Sequence, residues 1–384
     1  MADLELKRDS RAIIFVDGLL LSITIALVCF SLLMLYSTTG LGLAGVHDSL
    51  YFVKRQLAAA AVGFVLLTCA ALLPLELLKK AGPVLMLISI ILLVLTLLPG
   101  VGHLAGGARR WIRFGSLGIQ PAEFVKLFFV IFLAGYFERQ ELRLGQFVSG
   151  VVKPVMYLGI ICALLLKQPD FGSSAILALV TFGMALAAGV RLRHVVLSLG
   201  GAALCVAALV VTSPYRLSRV LSFLDPAKDI AGKGYQLNQS LIAVGSGYWS
   251  GVGLGASQQK LSFLPAAHTD FIFSVISEEL GFVGAVAVIG MFALFLWRGL
   301  RVASRFAENT FAFTLGVGLT LLVAIPAFLN IGVVTGCLPT KGLVLPLVGY
   351  GGSSLIVSLV TVGLLLGLGR SFYLDRLGLH GRRS

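Results

Sequence analysis

Three carboxylates lie in the run PAAHTDFIFSVISEELGFVG (265–284), where most other residues are apolar. They are Asp270, Glu278 and Glu279. A carboxylate inside a membrane-spanning helix costs about 2.5–3.5 kcal/mol on insertion scales, so such residues are candidates for function by default. A structural reading stays open for each: an acid at a helix start for Asp270, and a buried pair with an Arg or Lys for the two glutamates.

The spacing of these acids favours one base over an acid/base pair. In one continuous helix, Asp270 and Glu278 stand about 12 Å apart along the axis and about 80° apart around it. Asp270 and Glu279 face nearly opposite ways, whereas a hydrolase-type pair needs carboxyls about 5–9.5 Å apart. We therefore predict Asp270 as a single base that deprotonates a hydroxyl nucleophile, helped by His268 or by a divalent cation, Mg²⁺ or Mn²⁺. No cofactor is specified with certainty, and the metal ligands stay unknown.

Basic groups suited to phosphate lie in GGARRWIRFGSLGIQPAEFVK (106–126). The guanidinium groups of Arg109 and Arg110 are planar donors that fit phosphate oxygens. Glu123 follows Pro121 at the start of the next helix, where an acid also complements the helix dipole. One acid near several cations suits an anionic, lipid-linked substrate: the cations hold a diphosphate leaving group, and the acid activates a sugar hydroxyl.

Two further segments join this outer face. KQPDFGSS (167–174) is a tight connection in which Asp170 is either the N-cap of the next helix or a substrate contact. GCLPTKGLVLPLVGYGGSS (336–354) holds Lys341 between two prolines, and broken backbone at membrane depth is tolerated where protein or a water-filled cavity surrounds it. Its VGYG core matches a potassium-channel filter, but Leu347 stands where such a filter has Thr. We predict a cavity wall that faces Asp270.

The composition sets the elements that must position these residues. The chain is 58% hydrophobic and only 12% charged, about half the charge of a soluble domain. Apolar runs of about 20 residues, long enough to cross a bilayer, recur along it. We predict an all-α polytopic membrane protein, a single domain over 1–384, with a large external loop at about 213–268. The ten predicted spans are 13–37, 52–73, 82–99, 121–137, 149–166, 172–189, 194–212, 269–297, 309–334 and 342–370.

The basic residues orient these spans. With both termini in the cytoplasm, more than half of the 30 Lys and Arg residues fall on short cytoplasmic segments, as the positive-inside rule requires. The remainder cluster mostly in the external stretches 99–120 and 213–268, which is where an anionic ligand would bind. The net charge of +13 therefore reflects topology and attraction to anionic lipid, and we expect no nucleic-acid partner.

Four ordered stretches resemble one family. GGARRWI with QPAEFVK, QPDFG, AHTDFIFSVISEELG and LPTKGLVLPLVGYGGSS are similar to motifs of the SEDS family (shape, elongation, division and sporulation), the bacterial membrane peptidoglycan glycosyltransferases. The resemblance implies ten transmembrane helices and polymerisation of lipid II into glycan strands outside the cytoplasmic membrane. It also implies a hexosyltransferase whose essential aspartate is Asp270. Two departures are Ala266, where the family often has an acid, and Ala122, where serine is usual.

The motifs and the outer loop supply the other candidate site residues. Those assigned to substrate binding are Arg109, Arg110, Gln120, Glu123, Lys126, Asp170, Lys260, His268, Thr269, Lys341 and Ser353. The PTKG form of the last motif is similar to the cell-division (FtsW) branch, whereas the elongation (RodA) branch usually lacks that lysine. The resemblance implies a class B penicillin-binding protein transpeptidase as partner, with other divisome membrane proteins, lipid II and the nascent glycan, at the division septum.

Other functions stay open on the residues alone. A flippase for the same lipid would explain polar groups within the spans, although it needs access from both faces and these groups concentrate on one side. A scaffold for division partners would tolerate the loss of Asp270. The RodA-like elongation enzyme is the remaining alternative.

Overall fold

The structure is a computed structural model that describes residues 17–39, 50–105, 108–115, 117–213, 217, 234–259, 268–339 and 342–376. About half of the predicted external loop, including Lys260, lies outside these ranges, as does Lys341 of the last motif. The single-domain prediction over 1–384 therefore stays a prediction.

Long helices dominate the described residues. Ten of them have at least 15 residues and correspond to the ten predicted spans, and one shorter helix, α8, lies in the outer loop. In chain order they are α1 Gly18–Thr39, α2 Tyr51–Leu72, α3 Leu75–Leu97, α4 Pro121–Arg139, α5 Lys153–Lys167, α6 Phe171–Ala187, α7 Leu192–Val211, α8 Tyr235–Ser246, α9 Ile272–Ala303, α10 Thr310–Val334 and α11 Gly352–Arg376.

Among the described residues, seven segments are long and apolar enough to cross a membrane by length and composition alone. Helix α4 misses that standard because it carries charges at both ends, and α6 misses it with 17 residues. Helix α7 counts as a shorter apolar helix over Leu192–Leu204. The fold class, an all-α polytopic membrane protein, agrees with the prediction.

Four predicted span boundaries are wrong. Helix α3 begins at Leu75 instead of residue 82, and it tolerates Pro83 in its interior. Helices α9 and α11 end at Ala303 and Arg376 instead of residues 297 and 370. Helix α11 also begins at Gly352 instead of residue 342, because residues 342–351 run as irregular and turn backbone. Leu347 in that segment has φ +63°, which no helix accommodates. The segment before α11 is therefore free to form a wall of irregular backbone.

A small antiparallel sheet lies between α3 and α4, where only a loop was predicted. Strands β1 (Gly102–Ala105), β2 (Ala108–Phe114) and β3 (Leu117–Ile119) follow one another in that order. Two glycines separate β1 from β2 in the sequence, and a two-residue Gly-Gly connection is a hairpin signal. The sheet carries Arg109 and Arg110 on its middle strand.

Helix α10 is the centre of the bundle. It packs against α4, α6, α9 and α11, and most of its residues are buried. Elsewhere small residues let helices approach closely: a Cβ added at Gly363 of α11 would stand 2.3 Å from the Leu67 carbonyl oxygen of α2. Small residues at helix interfaces are the usual means of close packing in membranes.

Helix α9 is broken at Gly281, where φ is +65° and ψ is −163°. The outer-loop segment 247–253 fills the break with backbone hydrogen bonds. Phe282 N donates to Tyr248 O (2.8 Å) and Val252 N donates to Glu278 O (3.0 Å). A broken helix is tolerated in a membrane where neighbouring groups satisfy the freed backbone.

The two glutamates of α9 fasten other elements to it. Both are buried. Glu278 accepts hydrogen bonds from the Ser257 hydroxyl and from Gln258 N (2.9 Å), and Glu279 accepts from Ser37 Oγ of α1 (2.6 and 2.7 Å). These contacts give both acids a structural role at the break, and they leave Asp270 as the carboxylate at the helix mouth.

Candidate active site at the mouth of helix α9

Asp270 lies in the turn 268–271 that leads into α9, outside the membrane-spanning segment. Its side chain is half-buried, and within the described part of the chain no side chain or amide bonds or pairs with its carboxylate. Burial raises the pKa of Asp270 to about 6, because desolvation disfavours the charged form. A general base works best with a pKa near the working pH, so this carboxyl is suited to that task.

Residues 342–351, which we call the wall, pack against His268, Thr269 and Asp270. A Cβ added at Gly342 would stand 2.6 Å from Asp270 Oδ2. A Cβ at Gly349 would stand 2.9 Å from the carbonyl oxygen of Thr269. Tyr350 N donates to the carbonyl of His268 (3.0 Å). The prediction that this segment faces Asp270 is confirmed.

The VGYG backbone is held by side chains of α1 and α2. Ser31 Oγ donates to Val348 O (2.6 Å) and Gln56 Nε2 donates to Gly349 O (3.2 Å). Gly351 N donates to Gln56 Oε1 (3.3 Å). Two carbonyls that would line an ion filter therefore accept hydrogen bonds from their own protein. The segment builds a wall and does not form a pore.

His268 is packed in a small aromatic cluster. The centroid of its ring lies 4.9 Å from that of Phe52 and 5.9 Å from that of Tyr350. The Phe52 and Tyr350 rings meet edge to face, with their centroids 5.1 Å apart. Burial lowers the pKa of His268, so the neutral imidazole is favoured. A neutral ring can accept or donate one hydrogen bond but offers no positive charge to a diphosphate.

The first and last motifs meet at one point. Gln120 N, just before α4, donates to Ser353 Oγ at the start of α11 (3.1 Å). One turn further, Lys126 Nζ and Glu123 Oε1 form a salt bridge of 2.8 Å between side chains that are 9% and 14% exposed. Lys126 is thus neutralised within its own helix, which favours a structural role for the pair. The role of these four residues as substrate ligands stays a prediction.

Arg110 joins the sheet to residues 168–170, which we call the QPD turn. Its Nε and Nη2 donate to the carbonyls of Gln168 (3.0 Å) and Pro169 (2.6 Å). Asp170 is the N-cap of α6: its carboxylate accepts from Ser173 N (3.2 Å) and Ser173 Oγ (2.7 Å). The N-cap alternative for Asp170 is confirmed, and direct substrate contact by either residue stays a prediction. Arg109, beside Arg110 on β2, is half-buried.

Three polar residues of the site were not predicted. Ser31 and Gln56 hold the wall, and Asn330 of α10 donates through Nδ2 to the carbonyls of Asp270 (2.7 Å) and Leu343. Each lies in an apolar helix, and a polar residue in such a helix commonly hydrogen-bonds across to a neighbour. That signal was available in the sequence for all three.

The raised pKa of Asp270 predicts a pH dependence for any reaction in which it is the base. Only the deprotonated carboxylate can accept a proton, so kcat/KM, which reports the free enzyme, is expected to fall about tenfold per pH unit below pH about 6. With the ordinary value of 3.8 the same decline would begin near pH 4. Initial rates measured from pH 4.5 to 8 distinguish the two, and a flat profile down to pH 5 would contradict the assignment.

The chain is similar to known proteins over most of its length. A family model described as cell cycle protein, covering FtsW, RodA and SpoVE, matches residues 18–373. A protein of Trichlorobacter lovleyi named probable peptidoglycan glycosyltransferase FtsW is 43% identical over 366 residues, which are 95% of this chain and 96% of the relative. One of Methylococcus capsulatus with the same name is 44% identical over 355 residues, covering 91% and 89%.

Solved structures share the fold over nearly the whole chain. A chain in a structure described as the coordination of polymerization and crosslinking by a peptidoglycan synthase complex aligns with a TM-score of 0.78 and 30% identity, covering 94% of this chain and 99% of that one. The rod shape determining protein RodA of Thermus thermophilus aligns with a TM-score of 0.67 and 28% identity, covering 93% and 98%.

Proposed function

The chain belongs to the FtsW/RodA/SpoVE family of cell cycle proteins, and we propose from this membership how it acts. It is a multi-pass membrane protein and a peptidoglycan glycosyltransferase that polymerises lipid II into glycan strands on the outer face of the cytoplasmic membrane. Its curated relatives carry the FtsW name, so it works in cell division, as the PTKG motif predicts, and not as the RodA-like alternative.

The observation that carries the chemical part of the proposal is the Asp270 carboxylate. It is half-buried, has a raised pKa and stands against a wall of backbone at the mouth of a helix. A structural N-cap would instead be occupied by the helix amides, as Asp170 is. A carboxylate that no described residue engages, at the edge of an apolar helix, suits a base that accepts a proton from a substrate.

In the proposed reaction Asp270 accepts the proton of the acceptor sugar hydroxyl. The hydroxyl oxygen attacks the anomeric carbon of the donor sugar and forms the new glycosidic bond. The bond between that carbon and the diphosphate oxygen breaks, and the electron pair leaves with the lipid diphosphate. Attack opposite the leaving group inverts the anomeric centre, so no covalent enzyme intermediate is needed.

Cations at the outer face would stabilise the diphosphate as its charge develops. Arg109 is proposed for this role, because Arg110 and Lys126 are engaged by the protein. Lys260 and Lys341 are proposed with it on sequence alone. Further proposed substrate contacts are His268, Thr269, Gln120, Glu123 and Ser353.

A divalent cation is a further part of the proposal. Among the described residues no three His, Cys, Asp or Glu side chains group as a metal centre. Mg²⁺, however, is often bound by one or two carboxylates together with substrate phosphates, and Mn²⁺ prefers similar oxygen ligands. Asp270 with a diphosphate fits that donor set, and Mg²⁺ or Mn²⁺ there would neutralise phosphate charge.

The partner and location follow from the relatives. One similar structure is described as a complex that coordinates polymerization with crosslinking. We propose that this chain likewise pairs with a class B penicillin-binding protein, together with other divisome membrane proteins. Both termini would lie in the cytoplasm and the complex at the division septum.

Purified protein in vesicles with lipid II, with and without its transpeptidase partner, tests the function. We expect glycan polymers on addition of lipid II, and a strong loss of rate with EDTA that Mg²⁺ or Mn²⁺ restores. A rate unaffected by EDTA would remove the metal from the proposal. Transbilayer movement of lipid II without polymer would favour the flippase alternative over the glycosyltransferase.

A further inference from the structure

Asn330 of α10 joins two segments that are distant in the sequence. Its side-chain Nδ2 donates to the carbonyl of Asp270 (2.7 Å) and to the carbonyl of Leu343. The first carbonyl belongs to the turn that holds the proposed base, and the second belongs to the wall. One amide nitrogen therefore spans the boundary between the two halves of the site.

The two acceptors fix the orientation of the amide. Both are carbonyl oxygens, so only the NH2 group can face them. The other amide atom, Oδ1, is buried without a hydrogen-bond partner among the described residues. A buried, unsatisfied acceptor costs free energy and calls for an explanation. In a helix otherwise packed with apolar side chains, the two donated hydrogen bonds are what an Asn provides and a Leu would not.

These bonds act where the wall touches the base. Gly342, next to Leu343, lies so close to the Asp270 carboxylate that a Cβ there would stand 2.6 Å from Oδ2. Neither carbonyl belongs to a helix or strand, so each segment depends on side-chain donors for its position. Holding both from one rigid helix sets the separation between the carboxylate and the wall.

We propose that Asn330 is a positioning residue of the glycosyltransferase site, which holds the Asp270 turn and the wall at their working separation. This inference rests on the proposed function for its catalytic consequence. Asn330 is buried and does not touch substrate, so its loss acts through Asp270 and lowers kcat while KM changes little. Loss of close packing by the wall also opens the Asp270 turn to solvent.

The first test is Asn330→Leu, which keeps the branched shape of the side chain and removes both donors. In the full-length protein with its partner, kcat for lipid II is expected to fall about 100-fold with KM little changed, the effect of a misplacement of about 1 Å. Hydroxyl-radical labelling of the turn and the wall, read by mass spectrometry, should increase and reports the opening without any need for activity.

Asn309→Ala serves as the control at the start of the same helix. It removes the N-cap hydrogen bond that Ala312 N donates (2.9 Å), so it should lower thermal stability and leave the labelling of the turn and the wall unchanged.

Gly342→Ala opens the same gap from the wall side and covers the case in which Asn330→Leu does not fold. Its Cβ meets Asp270 Oδ2, whereas Gly352→Ala meets nothing nearer than 3.7 Å and is the matched control. We expect Gly342→Ala to increase the labelling of the turn and Gly352→Ala to leave it unchanged. Wild-type labelling in Gly342→Ala and in any folded Asn330→Leu would overturn the positioning role. Absence of polymer from wild-type protein would count against the glycosyltransferase, whereas the labelling result would still decide on Asn330.

Discussion

The Asp270→Asn variant is expected to lose glycan polymerisation by a factor of about 10² to 10⁴ while it folds and binds lipid II normally. The amide has the same shape as the carboxylate but cannot accept the proton of the attacking hydroxyl. General base catalysis contributes about that factor to enzyme rates. Polymer formed from lipid II by purified variant and wild type, at equal protein and pH 7.5, measures the loss.

The thermal stability of Asp270→Asn should not fall with its activity. The raised pKa of Asp270 means that folding favours its neutral form, so the ionised carboxylate destabilises the folded protein at pH values above about 6. An uncharged amide removes that cost. The melting temperature of Asp270→Asn in detergent at pH 7.5 should therefore equal or exceed that of wild type, as is common when a functional charge is removed.

Asp17→Asn is the matched control for this comparison. Asp17 pairs with Arg298 through Nη2 (2.8 Å) and Nε (3.0 Å) near the start of α1 and the end of α9, at the predicted cytoplasmic side. Its loss should lower the melting temperature and leave polymerisation per folded molecule unchanged. If Asp270→Asn polymerises lipid II as fast as Asp17→Asn, the carboxylate is not the base and the mechanism proposed for it is wrong.

Much of the site could be predicted because the costs of burial in a membrane are large and local. An acid next to an apolar run is a candidate for function, and Asp270 lies two residues before the first residue of α9. Prolines and glycines in a span, as in the wall, predict broken backbone next to a cavity. Both inferences need only the local sequence, and the contact between Gly342 and Asp270 agrees with them.

The partners of the basic residues could not be predicted in the same way. Arg110 and Lys126 are cations of the kind that bind phosphate, but the structure engages one with the carbonyls of the QPD turn and the other with Glu123. Which acceptor a long side chain finds depends on helix packing, and composition does not determine it. The same holds for Asn330, whose two acceptors lie 60 and 13 residues away in the sequence.

The break in α9 also lay beyond sequence reasoning. The sequence predicts one apolar span over 269–297, with Gly281, Gly284 and Gly290 in it, and an isolated glycine in a helical pattern is usually tolerated. What makes Gly281 different is the segment 247–253, which inserts against it from the outer loop. A pairing between two segments that are 30 residues apart leaves no periodic signal in either.

This break leads to the second large effect, which is on stability. The backbone of Gly281, at φ +65° and ψ −163°, lies in a region that is essentially restricted to glycine. A Cβ there would also stand 2.3 Å from Gly251 N and 2.7 Å from the carbonyl of Trp249. Backbone strain and overpacking each cost about 1–3 kcal/mol, so Gly281→Ala is expected to destabilise the protein by about 2–6 kcal/mol.

Gly290→Ala in the same helix separates this effect from the general consequence of placing alanine at a glycine. Gly290 is exposed and a Cβ there meets no atom within 4 Å, and alanine is the better helix former. Its melting temperature should stay the same or rise, whereas that of Gly281→Ala should fall by several degrees. Equal melting temperatures for the two variants would mean that the break is not required for the fold.

The part of the structure that Gly281→Ala disturbs can be measured as well as the loss of stability. Segment 247–253 is held to α9 by backbone hydrogen bonds. Its amides donate to the carbonyls of Glu278 and Glu279 (3.0 and 3.1 Å), and the amides of Phe282 and Val283 donate back to its carbonyls. A side chain at 281 pushes this segment away before it disturbs the rest of the bundle. Limited proteolysis from the outer face should therefore cut Gly281→Ala near Trp249 faster than wild type.

Because the Glu278 and Glu279 side chains also hold the outer loop and α1 to this helix, polymerisation should fall together with protease resistance, and Gly290→Ala should retain both.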